Sequence, residues 1–216
     1  MSTYEPTSRR PIASLFRLTA QHAVRLCIRL GIHPDTISYA SMVVAAAAGL
    51  CFLFAAERPW LLLVGPVFCL IRLWCNMLDG MVALASGQAS ARGEILNDLP
   101  DRVSDVLIFA GLAHGGLGLL PLGYWAAIMA LLTAYVGTFG QAVGGRREFG
   151  GVMSKPWRMV VVCVGAFVAY AVELPGPLTL IDWACIVVIA GCLQTIAVRL
   201  RRIFAAVAVR DGEGES

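Results

Sequence analysis

Residues 76–105 read NMLDGMVALASGQASARGEILNDLPDRVSD, a polar stretch between two strongly apolar runs. The flanking runs are long and apolar enough to lie in a membrane, so these carboxylates stand at or near membrane depth. A charged side chain there costs several kcal/mol unless it is compensated, and such residues mark functional sites by default. The stretch therefore predicts a membrane fold and also the location of its functional site.

The composition is that of a polytopic membrane protein. Of the 216 residues, 58% are hydrophobic and only 14% are charged, and the mean hydropathy is +0.75. Soluble domains average about half apolar and about a quarter charged residues. The length suits one domain. The seven cysteines are scattered through apolar segments without CxxC pairs, which argues against a disulfide framework and against a zinc site.

The predicted fold class is all-α, with six transmembrane helices and an N-terminal amphipathic helix that lies in the membrane interface. The amphipathic pattern covers residues 9–30, where basic and apolar side chains fall on different faces. The predicted spans are 37–56, 60–84, 94–114, 124–143, 159–172 and 178–198. We divide the chain into residues 1–33 (tail and interfacial helix), 34–206 (transmembrane domain) and 207–216 (polar C-terminal tail).

Basic residues are distributed unequally between the predicted loops. Fourteen Lys and Arg residues fall on the side that holds both termini, whereas only Arg58 falls on the other side. Positive residues are retained in the cytoplasm, so we expect both termini and the polar stretch on the cytoplasmic side of the inner membrane. The net charge of +3 then reflects orientation and attraction to anionic membrane lipids, and no nucleic-acid partner is expected.

Helical spacing places the polar side chains of this stretch on two faces. Asn76 and Asp79 are three residues apart, and they share a face with Gly80 and Ala83. The next helix carries one polar stripe, formed by Glu94, Asn97, Asp98, Asp101 and Asp105. Neither face can turn to lipid, so we expect them to face each other with cations between their carboxylates. Oxygen ligands of this kind favour Mg²⁺ or Mn²⁺.

The spacing resembles the signature of the CDP-alcohol phosphotransferase family, D-x2-D-G-x2-A-R-x8-G-x3-D-x3-D, with every gap intact. A lone Asp-Gly pair would carry no weight, whereas matches over a long fixed spacing are specific. The matching positions are Asp79, Gly80, Ala83, Gly93 and Asp101. Three positions depart from the signature: Asn76 and Asn97 stand where the family has Asp, and Leu84 stands where it has Arg.

The resemblance implies a transfer reaction at phosphorus in phospholipid biosynthesis. In this family an acceptor hydroxyl attacks the β-phosphorus of a CDP-linked donor, and CMP leaves. It implies CDP-diacylglycerol or a related CDP-alcohol as donor, a small alcohol or phosphorylated alcohol as acceptor, and a homodimer. It also implies two ions of Mg²⁺ or Mn²⁺, with Asp101 as the general base. The metal positions carried over are Asn76, Asp79, Asn97 and Asp101.

The resemblance further implies a nucleotide site, where small residues let the nucleotide approach the backbone. Its positions here are Asp79, Gly80, Ala83 and Gly93. The two amides remove two negative charges from the metal shell, so we predict that Asp98 assists as a metal ligand. We also predict that Arg92, which precedes Gly93, replaces the arginine that is missing at Leu84.

Four further basic residues are singled out by their positions. Lys155 and Arg158 lie three residues apart at the cytoplasmic start of the fifth span, and similarity to relatives that use phosphorylated acceptors implies that they bind an acceptor phosphate. The alternative is membrane anchoring by long basic side chains. Arg72 lies deep in the second span and needs an acidic partner from the polar stretch, and Arg102 is expected to pair in the same way.

Three functions are compatible with these features. The leading interpretation is an integral-membrane transferase that moves a phosphatidyl group from a CDP-linked donor to an alcohol. The second is a family member without turnover that binds lipid or nucleotide as a scaffold, and the two missing Asp residues favour it. The third is a small transporter or channel, which is disfavoured because the polar stretch lies at one membrane face and no inverted repeat is visible.

Overall fold

The computed structural model describes residues 12–88, 91–143 and 147–214, and it leaves out the side chains of 12–20, 91, 92, 94 and 211–214. Within these ranges the chain forms seven helices and no strand, as the predicted all-α class requires. The helices are α1 (Ile12–Arg29), α2 (Pro34–Leu53), α3 (Leu61–Ala85), α4 (Ala91–His114), α5 (Leu120–Ala142), α6 (Lys155–Ala171) and α7 (Leu180–Gly214).

Helices α2 to α7 form a closed ring. Going around it, α2 packs against α3, α3 against α6, α6 against α7, α7 against α5, α5 against α4, and α4 against α2. A core of buried apolar side chains fills the ring, and a smaller apolar cluster attaches α1 to α2 and α3. Since α2 packs against both α3 and α4, polar side chains from the latter two helices meet in the interior of the ring, beside α2.

Helices α2 and α4 approach each other closely through glycine. A Cβ atom on Gly49 would lie 2.5 Å from the backbone oxygen of Leu107, and a Cβ atom on Gly111 would overlap the backbone of Gly49. Real Cβ atoms do not tolerate such distances, so small residues are required at this crossing. The close approach brings the N-terminal half of α2 next to the polar half of α4.

Four of the helices in the described ranges are long and apolar enough to cross a membrane. They are Pro34–Leu53, Leu61–Ala85, Leu120–Ala142 and the Leu180–Arg210 part of α7. Helix α4 is less apolar because it carries the acidic stripe, and α6 has 17 residues. The length and apolar character of these four helices indicate a membrane protein.

The last helix is longer than predicted. We expected it to end near residue 198 and a polar tail to begin at 207, whereas α7 continues to Gly214. The reason is local: residues 203–209 read IFAAVAV, a run of residues compatible with a helix, and the first glycine after Gly191 is Gly212. The proposed boundary at residue 206 therefore lies within α7.

Candidate active site

A tight turn after α3 starts the connection to α4. Gly87 has φ +67°, in the left-handed region that glycine adopts without strain. The N–H of Gln88 donates to the carbonyl of Ala83 at 2.9 Å, and the N–H of Gly87 donates to Leu84 at 3.3 Å. This is the usual glycine-dependent ending of a helix. Helix α4 begins at Ala91, so the two halves of the polar stretch start close together.

The carboxylate of Asp79 lies at the junction of three helices. Its Oδ2 accepts a hydrogen bond from Ser38 Oγ of α2 at 2.7 Å, and its Oδ1 accepts from the backbone N–H of Gly80 at 2.6 Å. Asn97 Nδ2 of α4 lies 3.5 Å from the same Oδ1. Asp79 is only 2% exposed. The predicted meeting of the two polar faces is therefore present at this residue.

Asn76 lies one turn before Asp79 and faces α2. Its Oδ1 accepts a hydrogen bond from Ser41 Oγ at 2.7 Å, whereas its buried Nδ2 has no hydrogen-bond partner. A half-turn of the amide would present the oxygen at the unpartnered position and the NH₂ group to the serine. Asn76 can therefore offer an oxygen to a cation without losing its contact with α2.

Asp101, one turn after Asn97, is surrounded by cations. The ammonium group of Lys155 forms an ion pair with its Oδ2, and Arg72 Nη2 lies 3.7 Å from its Oδ1. Lys155 is the first residue of α6, so this contact joins α4 to α6. Asp101 is buried, and Asn97, one turn before it, lies 3.5 Å from the carboxylate of Asp79. Asn97 thus lies between the two signature carboxylates.

A buried ion triad lies behind Asp101. The carboxylate of Asp105 is 2.9 Å from Arg72 Nη2 and 2.7 Å from Arg158 Nη2. Arg72 has no exposed surface, and it also donates to the backbone oxygen of Asp101 at 3.1 Å. The predicted acidic partner of Arg72 is thereby confirmed. The triad ties α3, α4 and α6 together, because each helix supplies one of its members.

Asp98 is not brought into this cluster. It pairs with Arg102 at 2.7 Å and with Arg147 at 2.5 Å, and its side chain is 28% exposed. It borders a surface cavity of about 420 Å³. Successive residues of a helix point about 100° apart, which turns Asp98 away from the direction of Asn97 and Asp101. The predicted ion pair of Arg102 is confirmed, whereas the predicted place of Asp98 among the metal ligands has no support in the geometry.

The small residues of the signature flank the cluster. A Cβ atom on Gly80 would meet nothing within 4 Å, so open space adjoins its backbone. Ala83 is partly buried one turn later, and Gly93 lies in the first turn of α4. Leu84, at the position of the family arginine, is exposed. The side chain of Arg92, its predicted substitute, lies outside the described residues.

The donor set has two carboxylates and two amides. Among the described residues, no group of three or more His, Cys, Asp or Glu side chains is arranged to hold a metal ion. The candidate ligands are instead Asp79, Asn97, whose amide lies 3.5 Å from it, and Asn76, one turn before Asp79. Carboxylate and amide oxygens are ligands that fit a hard divalent cation, which can keep several waters and so needs few protein ligands.

Sequence reasoning missed two residues of the cluster. Ser38 and Ser41 of α2 donate to Asp79 and Asn76, respectively. Their spacing of three residues puts both hydroxyls on one face of α2. That pattern was visible in the sequence, but it identifies no partner until α2 is known to pack against α3.

Known proteins match most of this chain in sequence. No family model matches it. It is 31% identical over 161 residues to the phosphatidylinositol phosphate synthase of Mycolicibacterium smegmatis, covering 72% of this chain and 71% of that protein. It is 28% identical over 182 residues to the phosphatidylinositol phosphate synthase of Mycobacteroides abscessus, covering 82% and 79%.

Solved structures share the fold. The phosphatidylinositol phosphate synthase of Mycobacterium tuberculosis with CDP-DAG bound superposes with a TM-score of 0.73 at 22% identity, over 86% of this chain and 93% of that one. The same enzyme with manganese and citrate gives a TM-score of 0.71, over 86% and 88%. Sequence likeness across most of both chains and the shared fold lead to one conclusion: this chain belongs to the CDP-alcohol phosphotransferase family, which includes the phosphatidylinositol phosphate synthases.

Proposed function

We propose that this protein transfers a phosphatidyl group from CDP-diacylglycerol to an alcohol and releases CMP. The observation that carries the proposal is that Asp79 of α3 meets Asn97 of α4, one turn before Asp101, in a buried polar cluster. The relatives support it, since they are named as phosphatidylinositol phosphate synthases and one solved structure holds CDP-DAG.

The cluster supplies groups for displacement at phosphorus. Asp79, with the amide oxygens of Asn76 and Asn97, would hold a divalent cation, which a manganese-containing structure of a relative supports. When bound, such an ion neutralises the diphosphate and stabilises the departing CMP oxygen. Ser38 orients the carboxylate of Asp79 by its hydrogen bond. The resemblance implies two ions, of Mg²⁺ or Mn²⁺, whereas the charge of the cluster favours fewer.

Asp101 is proposed as the general base. Its carboxylate would accept the proton of the acceptor hydroxyl while that oxygen attacks the β-phosphorus. Arg72 holds the backbone of this residue through its carbonyl oxygen, and Lys155 holds the carboxylate by an ion pair. The proton passes to Asp101, the acceptor oxygen bonds to the β-phosphorus, and the bond from the β-phosphorus to the CMP oxygen breaks.

The nucleotide is proposed to bind beside the end of α3. The open space next to Gly80 leaves room for it, and Asp79, Ala83 and Gly93 border the same end of the polar stretch. A larger residue at position 80 would fill this space. Arg92 is proposed to contact the nucleotide in place of the family arginine that is missing at Leu84.

Lys155 and Arg158 are proposed to favour an anionic acceptor. Lys155 is partly buried at the N-terminus of α6, where it meets Asp101. Arg158 is buried and bound to Asp105 and to the backbone of Met153. Because its guanidinium is already bonded, Arg158 would act on an acceptor phosphate mainly through its charge, whereas Lys155 would contact the phosphate directly. A small phosphorylated alcohol fits this arrangement better than a neutral one.

The membrane arrangement is proposed from composition and charge. Helices α2 to α7 would cross the inner membrane six times, with α1 in the interface and both termini and the active site in the cytoplasm. The basic residues of the loops support this orientation. Residues 1–33, 34–206 and 207–216 are the proposed tail and interfacial helix, transmembrane domain and C-terminal tail. A homodimer is proposed from the family resemblance.

A second candidate is a scaffold that binds lipid or nucleotide without turnover. Two observations favour it: Asn76 and Asn97 replace carboxylates, and Lys155 occupies Oδ2 of Asp101. A carboxylate oxygen held in an ion pair is less accessible to an acceptor hydroxyl, and fewer carboxylates bind metal less tightly. Binding of the donor would then persist without release of CMP.

One assay separates the candidates. The purified chain in detergent is given CDP-diacylglycerol with Mg²⁺ or Mn²⁺ and a panel of alcohols that includes phosphorylated polyols, and release of CMP is measured. We expect metal-dependent release with at least one acceptor and none after chelation. Binding of CDP-diacylglycerol without CMP release under every combination would establish the scaffold and overturn the enzyme.

A further inference from the structure

The ionisable groups of the cluster balance one another. Among the described side chains, the buried or partly buried members are the acids Asp79, Asp101 and Asp105 and the bases Arg72, Lys155 and Arg158. Asp98, Arg102 and Arg147 form a separate, more exposed group. Three carboxylates therefore face three cations, and the cluster is neutral without a metal ion.

A cluster with the complete family signature would not be neutral. With aspartate at positions 76 and 97, the same cluster would carry two further negative charges, enough to balance one divalent cation. In this chain both positions are amides. A divalent ion that entered alone would leave an uncompensated double charge in a buried site, which is costly in a low-dielectric region.

The proposed donor supplies the missing negative charge. A CDP-linked lipid carries one negative charge at each of its two phosphorus atoms. One divalent cation balances these charges, so the cluster with donor and one ion returns to neutrality. A second ion would again be uncompensated, whereas in a cluster that also had aspartate at positions 76 and 97 the donor and two ions would balance.

We propose that this chain holds a single divalent cation and that the ion is bound together with the diphosphate of the donor. The inference rests on the proposed function, because it takes a CDP-linked donor as the source of charge. The ion is assigned to Asp79, Asn76 and Asn97. The unpartnered buried Nδ2 of Asn76 marks where an amide oxygen can turn to it.

Coupling between ion and donor follows from this balance. If the donor strengthens ion binding by a given factor, the ion strengthens donor binding by the same factor. We expect a factor of roughly tenfold or more, since the charges interact at short range in a partly buried site. A cluster with aspartate at positions 76 and 97 would instead bind an ion tightly before the donor binds.

The test counts manganese ions. The purified chain in detergent is titrated with Mn²⁺, with and without CDP-diacylglycerol, and free Mn²⁺ is followed by its electron paramagnetic resonance signal. We expect one ion per chain with the donor and affinity at least about tenfold weaker without it. Asn76→Asp/Asn97→Asp in one chain should bind two ions with the donor. Lys155→Met, which removes one positive charge, should tighten binding without the donor by roughly tenfold.

A matched control is Gln141→Glu. Gln141 is an exposed residue of α5 that lines the same surface cavity as Arg147, so this variant adds a negative charge outside the cluster. It should leave the stoichiometry and the affinity unchanged. Two ions in the wild-type chain, equal affinity with and without donor, or one ion in the double aspartate variant would each overturn the proposal. The readout is independent of turnover: one donor-linked ion without CMP release supports this inference and contradicts the proposed transfer.

Discussion

Replacement of Arg72 by methionine is expected to destabilise the fold substantially. Arg72 is fully buried, its Nη2 lies 2.9 Å from Asp105, and it donates to the backbone oxygen of Asp101 at 3.1 Å. Methionine fills much of the same volume without a donor. Asp105 would then remain buried with Arg158 as its one remaining cation in the triad.

The magnitude follows from these contacts. Removing one partner of a buried ion pair costs about 3–5 kcal/mol. The lower end applies because Arg158 still neutralises Asp105, and the lost hydrogen bond to the Asp101 carbonyl contributes about 1 kcal/mol. We therefore expect Arg72→Met to lower the free energy of unfolding by roughly 3–4 kcal/mol.

The assay is unfolding by sodium dodecyl sulfate in mild-detergent micelles, followed by far-ultraviolet circular dichroism. Arg102→Met is the matched control, because Arg102 pairs with a carboxylate whose side chain is 28% exposed, and it should cost less than about 1 kcal/mol. If Arg72→Met is no more destabilising than Arg102→Met, the triad does not stabilise the packing of α3, α4 and α6.

Three further changes probe separate parts of the structure. Ser38→Ala removes the donor to Asp79 at 2.7 Å and should lower kcat/KM for CMP release roughly tenfold with little effect on stability; an unchanged kcat/KM would contradict that role. Gly80→Ala should leave stability unchanged, since its Cβ meets open space, and should raise the KM for the donor, which is proposed to bind in that space. Gly49→Ala should instead destabilise the fold by more than about 2 kcal/mol, since its Cβ would lie 2.5 Å from an α4 backbone oxygen. Asp182→Ala removes the acceptor for two backbone N–H groups, at 2.6 and 2.8 Å, at the starts of α5 and α7, and should cost about 2 kcal/mol in the same detergent titration.

The meeting of the two polar faces was predictable from local periodicity. Residues three or four apart share a helix face, and polar faces in an apolar chain avoid lipid, which together require the contact between Asp79 and Asn97. The same reasoning predicted an acidic partner for Arg72, since a buried guanidinium needs one. These features follow from the helix period and from the cost of unpaired charge, both of which are properties of short segments.

Other features depend on which helices are neighbours. Ser38 joins the cluster because glycines let α2 approach α4 and because α2 also packs against α3, and no local pattern states that arrangement. Asp98 lies at the edge of the predicted stripe, and its pairing with Arg147 comes from the segment after α5. The extension of α7 past residue 198 shows that the arginines at 199, 201 and 202, where we expected the last span to end, do not end the helix.

The most direct test of the account compares Asp79→Asn with Asp98→Asn in the CMP-release assay. Both variants replace one carboxylate by an amide of the same shape, but the first lies in the cluster and the second in the separate ion pairs with Arg102 and Arg147. We expect Asp79→Asn to lower kcat/KM by at least about a hundredfold and Asp98→Asn to lower it by less than about threefold. Equal losses in the two variants, or full activity in Asp79→Asn, would contradict the assignment of the active site.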